Sequence, residues 1–198
     1  ERIPEKNGQP LIFMVGCGHM EEGEWQWSVF TTDYLTEACE AEILDAWFVH
    51  MDEVKQRIGH SESEPIVFHW SHAEASTLET AFNSAKERHP SKTWPDPRWY
   101  DFLQLVMREE PIVVRGSLGF GLKSIANAMQ HHGLIESRWD SGPTDGLGAM
   151  VGAWWSACEA KRLECTLTEI EMIREIQLYN EIDCKAMMEI ITYLRQNH

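Results

Sequence analysis

The sequence is poor in positive charge. Lys and Arg number 17 against 32 Asp and Glu, a formal net charge of −15 at pH 7. That balance excludes broad nucleic-acid binding through charge alone. It still allows an enzyme that takes a strand end into a metal-lined cleft, where the ions supply the positive charge. No apolar run approaches the roughly 18 residues of a membrane span and no signal peptide opens the chain, so no membrane partner is expected. The five cysteines, Cys17, Cys39, Cys158, Cys165 and Cys184, form no C-x-x-C pair. An odd, scattered set argues against a disulfide framework and fits a reducing cytosol, so a cytoplasmic location is expected. Internal repeats, low-complexity segments and a G-x-S-x-G nucleophile elbow are all missing. There is also no initiator Met: Glu1 to Gly8 read like the middle of a protein, and a fragment of a longer polypeptide is expected.

What is present describes one globular domain. The 198 residues can bury a full core, and the 43% hydrophobic and 25% charged fractions are ordinary for a soluble fold. Leu11 to Gly16 reads as a buried strand, broken by Gly16-Cys17-Gly18-His19. Glu22-Gly23 reads as a turn, and Glu24 to Phe30 alternates as a half-buried strand, which together predict an antiparallel hairpin. From Leu35 the period becomes helical, through Cys39, Ile43, Ala46, Trp47 and Val54, with Thr36 as N-cap and Gly59 as stop. Pro65 to Trp70 is a second strand, followed by a helix over 73–88 with Ala75, Leu78, Phe82 and Ala85 inward. Pro90 to Trp99 is irregular. Short helical and extended pieces follow at 100–108 and 111–115. Helices are predicted over 122–132, closed by Gly133, and over 147–163. Thr168-Glu169-Ile170-Glu171 reads as a capping box opening the long final helix. This order predicts an α/β layer protein, a mixed sheet with helices on its faces.

Three stretches could carry chemistry. In the first, Phe68-His69-Trp70-Ser71-His72-Ala73-Glu74, a strand end runs into a helix, the place where α/β folds put their sites. Glu74 falls in that helix's first turn, where an acid also serves simply to complement the dipole. His72-Ala73-Glu74 mimics a zinc-deaminase H-x-E, but the P-C-x-x-C partner is missing. His69 and His72 likewise lack a second ligand pair for zinc. In the second stretch, Gly116-Ser117-Leu118-Gly119-Phe120-Gly121-Leu122-Lys123-Ser124, Leu122 separates the last glycine from Lys123, unlike a Walker loop. A glycine-rich turn capping a helix is the better account. The third is Tyr179 and Asp183, four residues apart on the last helix and so on one face. They adjoin the apolar stripe of Ile173, Ile176, Ile190, Ile191 and Leu194. An acid there is costly unless paired or metal-bound; the plainer account is a rim acid with a satisfied hydrogen bond. The basic residues Lys86, Arg88, His89, Lys92, Arg98, Arg108, Arg115 and Lys123 read as a solvated mixed surface.

Together these pieces resemble the ribonuclease H-like exonucleases of the DnaQ-like, four-carboxylate superfamily, most closely its YprB-type branch. Phe68 to Glu74 looks like the second motif, with Glu where many relatives have Asp. Tyr179-Asn180-Glu181-Ile182-Asp183-Cys184 looks like the third motif in its tyrosine form. Tyr100 to Leu103 and Leu122 to Ala126 resemble the connecting helices, so the likeness covers nearly the whole chain. It implies an α/β, ribonuclease H-like three-layer fold with a mixed central sheet and helices on both faces. It also implies 3′–5′ exonuclease chemistry on a single-stranded DNA or RNA end, with two Mg²⁺ or Mn²⁺ ions about 4 Å apart. Asp183 and Glu74 would be metal ligands and Tyr179 would orient the attacking water. Arg and Lys near the cleft would clamp phosphate. The resemblance departs at the first motif: the Asp-x-Glu pair is absent, because Leu11 to Gly16 matches the family's second strand and holds no acid. The first strand is expected upstream of Glu1, in a parent replication or repair protein with fused nuclease or helicase domains. The alternative expectation is a catalytically inactive nucleic-acid-binding or scaffolding module. Trp70, Trp94 and Trp99 are candidates for stacking on bases.

Overall fold

The computed structural model describes residues 2–4, 10–59, 64–70, 75–110, 112–139 and 146–198. A short ladder pairs β1 (Arg2–Pro4) with β2 (Pro10–Ile12), antiparallel. The predicted hairpin follows as β3 (Met14–Glu21) and β4 (Glu24–Thr31), paired from Met14–Thr31 to Glu21–Glu24. Its turn is Glu22-Gly23, both with positive φ, as a two-residue hairpin requires. The expected break at Gly16 to His19 does not occur, because β3 runs straight through it. Those glycines serve close approach instead. A Cβ on Gly16 would lie 1.7 Å from the Asn180 side-chain oxygen, and one on Gly18 would lie 2.1 Å from the Trp25 ring. Glycine in a strand often marks such an approach rather than an end.

Helix α1 (Glu37–Arg57) starts where predicted, with the Thr36 hydroxyl accepting the Cys39 N–H at 3.2 Å, and Gly59 follows it at φ 73°. Strand β5 (Ile66–His69) leads to α2 (Ala75–Arg88). The expected helix from Tyr100 is displaced: Arg98–Asp101 is β6, parallel to β5 from Ile66–Arg98 to His69–Asp101, and a π-helical segment, Leu103–Arg108, takes up only the remainder. A second strand beside β5 satisfies backbone groups that an early helix would leave unpaired, which local periodicity does not register. Residues 112–115 form no strand. Helices α3 (Leu122–His131) and α4 (Gly146–Leu163) follow the prediction. The capping box sits two residues earlier than expected, with Thr166 and Glu169 closing a 3₁₀ turn, Leu167–Glu169; α5 (Glu171–Asn197) then opens from Ile170 without a side-chain cap. Thr168 instead hydrogen-bonds Asp33 at 3.0 Å.

The strands lie between two helical groups. On one side Val15, Cys17, Phe30, Val67 and Trp99 pack against α1 and α2 around Leu44, Trp47 and Phe82. On the other, Met14 and Val29 meet α4 and the first half of α5. Phe68 and Tyr100 meet α3 and the second half of α5, through Ile125, Ala186 and Ile190. The chain is therefore a mixed α/β protein, and α5 spans the β3–β4 and β5–β6 pairs. No helix among the described residues is long and apolar enough to cross a membrane.

The basic residues read as solvated surface prove in part to be internal. Glu40 is fully buried and collects Arg88 Nε and Nη2 at 3.0 and 2.7 Å, His89 Nε2 at 3.1 Å, and the Ile12 N–H at 2.7 Å. Lys86 pairs with Asp96 at 2.6 Å, and Lys92 pairs with Asp45, which also accepts the Trp94 indole N–H. Arg88 and His89 tie the end of α2 to α1, Lys92 ties the segment after α2 to α1, and Lys86 ties α2 to that same segment. Trp94 is 8% exposed and Trp99 stacks on Trp47, so both belong to the core rather than to a base-stacking surface.

Candidate functional site

The site is organised on the middle of α5. Tyr179 is 5% exposed and Asp183 half-buried, one turn apart on one face. Nearby, Asn180 approaches Gly16 of β3, and the Cys184 thiol points to the Gly16 carbonyl at 3.9 Å. The helix is thereby pressed on the strand at the point where its acid emerges. Burial pushes the Cys184 thiol up to about 12, with the Asp183 charge adding to the rise. Burial also pushes Cys17 up to about 11, opposed by the Trp47 indole. Both thiols are protonated at neutral pH.

Two further residues complete the site: Trp139, which no sequence pattern singled out, and Lys123, which stands in the glycine-rich stretch and was tied by sequence to neither Tyr179 nor Asp183. Trp139 donates its indole N–H to Asp183 Oδ1 at 2.9 Å. Lys123, from the second turn-proximal position of α3, holds its ammonium 4.4 Å from the Tyr179 ring centre and 5.5 Å from that of Trp139. A cation against two aromatic rings is held by their negative faces and loses little conformational freedom when it meets an anion. The segment bearing Trp139 is fixed in turn: Glu189 Oε2 on α5 accepts the Glu136 and Ser137 N–H groups at 3.0 and 2.9 Å. The glycine-rich turn positions Lys123. Its Phe120 carbonyl accepts the Trp70 indole N–H at 2.8 Å, and Ser117 Oγ lies 2.9 Å from Ser124 Oγ. This fits a turn that caps α3, with Gly121 at the cap. Trp70 is thus occupied in packing and hydrogen bonding.

Glu74, with His72, falls outside the described residues; it precedes α2, which begins at Ala75. The structure therefore brings together Tyr179, Asp183, Lys123 and Trp139, and leaves Glu74 unplaced. The only signal for Trp139 would have been an indole a few residues past a helix end, which sequence spacing cannot link to Asp183, 44 positions away. Among the described residues no group of three His, Cys, Asp or Glu gathers as a metal site. Asp183 is a hard oxygen donor of the kind Mg²⁺ and Mn²⁺ prefer, and it fits as one ligand of a shared site rather than as a whole one.

The histidines around the strands give the domain a defined response to acid. Burial pushes His69 below its usual value, with Asp101 and Glu79 opposing. His50 is also lowered, by burial, then His19 and Arg57, with Glu53 opposing. A depressed folded value means that the unfolded chain takes up protons first. The stability is intact above about pH 6.5 and is lost as pH falls from there toward the folded values. The urea midpoint is expected to drop between about pH 7 and 5.5. The drop should shrink in a His50→Gln/His69→Gln variant, and an equal drop there would assign it to other groups.

No protein-family profile matches the chain, and no curated protein or solved structure matches it. What can be said of its class rests on the fold: a mixed α/β domain with a polar and aromatic cluster on its last helix.

Proposed function

We propose that this chain is a metal-dependent 3′–5′ exonuclease domain of ribonuclease H-like architecture, acting on a DNA or RNA end. The supporting observation is the grouping of one carboxylate, one phenol and one lysine at a single point. Asp183 is oriented by the Trp139 N–H, and Lys123 lies over the Tyr179 ring. An unsupported acid beside an apolar stripe would be costly; one fixed by an indole N–H, with an amine over the phenol ring one turn away, suits a phosphodiester substrate.

The roles follow from the positions. Lys123 would neutralise a non-bridging phosphate oxygen, preorganised by the two rings. Tyr179, one turn before the acid, would orient the attacking water. Asp183, with Glu74 and acids beyond the described residues, would hold Mg²⁺ or Mn²⁺, which when bound supplies nucleophile activation and leaving-group stabilisation. Among the described residues β3 pairs only with β4 and β5 only with β6.

The test is Mn²⁺-dependent release of nucleotides from 5′-labelled single-stranded DNA and RNA by the full-length polypeptide. Trp139→Phe keeps the ring for Lys123 but removes the hydrogen bond to Asp183. A loss of about 10- to 100-fold in activity is expected, as for other groups that orient a ligand. Unaltered activity would detach Trp139 from the site. Absence of both Mn²⁺ binding and nuclease activity would favour the scaffolding module.

A further inference from the structure

Helix α4 has two apolar faces and only one is covered. From Gly146 to Cys158 it carries no charged residue. The inner face is accounted for: Ala149, Gly152, Ala153, Ser156 and Ala160 are buried, and Gly152 lets the helix approach Met172 and Ile176 of α5. The outer face carries Leu147, Val151, Trp154 and Trp155, at 64%, 56%, 59% and 50% exposure, with Cys158 also exposed. Spacings of four, three, one and three residues put these five on one stripe. A surface helix normally shows charge there, and a helix apolar all round is normally buried. Two half-exposed tryptophans in an uncharged stripe mark an interaction surface.

We propose that this stripe docks against the same stripe of a second copy of the chain, across a two-fold axis. The chemistry narrows the occupant. A nucleic acid needs cations beside stacking rings, and the first ones on this helix are Lys161 and Arg162, past the stripe, with Arg162 bonded to Glu159 at 2.9 and 2.5 Å. A second copy meets no such requirement. The stripe is neutral, so two copies of a chain with net charge −15 can meet there without opposing like charges. The spacing is also self-complementary. With antiparallel helices crossing between Gly152 and Ala153, Val151 of one copy faces Trp154 of the other, and Leu147 faces Cys158, large against small in each case. The exposed surface of the four large side chains is roughly 450–500 Å² per copy, so a pair buries about 1,000 Å² with its rim, the lower bound for a specific interface. An interface at that bound belongs to the weak, transient class, so a reversible dimer is expected over a micromolar range of concentration. The inference is independent of the nuclease reading.

Sedimentation velocity of the full chain from about 1 to 200 μM tests it across that range. The expected result is a concentration-dependent shift from monomer to dimer, with a matching blue shift of tryptophan fluorescence. Val151→Glu should hold the protein monomeric throughout with unchanged circular dichroism and Tm, whereas Trp154→Phe should still dimerise. A monomer at every concentration overturns the proposal, as does a dimer that Val151→Glu leaves intact. A blue shift produced by a single-stranded oligonucleotide on the monomer would assign the face to nucleic acid and overturn it too.

Discussion

Asp183→Asn is expected to lower the metal-dependent nuclease activity of the full-length polypeptide by about 10²- to 10³-fold, the loss typical of removing one electrostatic element from a preorganised site. The substitution is chosen for what it preserves. Asn keeps an oxygen where Oδ1 accepts the Trp139 indole, so the 2.9 Å hydrogen bond and the packing of the 135–139 segment should survive. It also keeps the side-chain volume beside the half-buried face of α5. What it removes is the charge that would bind a divalent cation. Tm should change little, while Mn²⁺ binding measured by calorimetry should weaken with activity. Nuclease activity persisting at the native level would end the assignment of Asp183. An equal fall in Tm and activity would show that the acid serves the fold and not the chemistry.

Glu40→Ala is expected to destabilise the domain by about 3–5 kcal/mol, the usual cost of breaking a buried ion pair from one side. The carboxylate is 0% exposed and the Arg88 side chain 6%. Removing it takes two hydrogen bonds from the Arg88 guanidinium, the acceptor from the Ile12 N–H and the 3.1 Å partner from His89. The Arg88 charge loses its carboxylate where its side chain is only 6% exposed. Because α1, α2 and β2 all meet at this carboxylate, the loss should appear as one cooperative shift of the urea midpoint. Glu40→Gln, which retains an acceptor for Ile12, should lose less. A double variant replacing Glu40 and Arg88 with Leu and Met should recover part of the loss, since the buried cation is then gone. A loss below about 1 kcal/mol for Glu40→Ala would place the pair in the class of exposed salt bridges.

The two sites were legible to different degrees. Tyr179 and Asp183 could be found from spacing, because a four-residue interval on a long helix fixes a shared face whatever surrounds it. Thr36, the Glu22-Gly23 turn and Gly133 were found the same way: caps and tight turns depend on backbone groups within a few residues. The Glu40 network was not legible. Arg88 and His89 look like any basic helix end, and only the approach of α1 to α2 turns them inward. Trp139 was hidden for the same reason, since it meets the site through a contact far away in sequence; Lys123 stood out in its glycine-rich stretch, but nothing local tied it to Tyr179.

The strand boundaries show the same division. The sequence by itself determined that strands precede a helical half, where the long helices lie, and which helix carries the phenol and acid. It did so because hydrophobic period and capping are properties of neighbouring residues. Only the tertiary structure decided that β3 continues through two glycines, that Arg98–Asp101 is a strand beside β5 rather than a helix start, and that α4 keeps an apolar face outward. Each of those depends on what stands opposite: the Asn180 side chain and Trp25 ring over the glycines, the open edge of β5, and the already filled contact between α4 and α5. Opposition across space leaves no period in the chain, and the burial of polar groups and rings that it requires is settled only when the layers close.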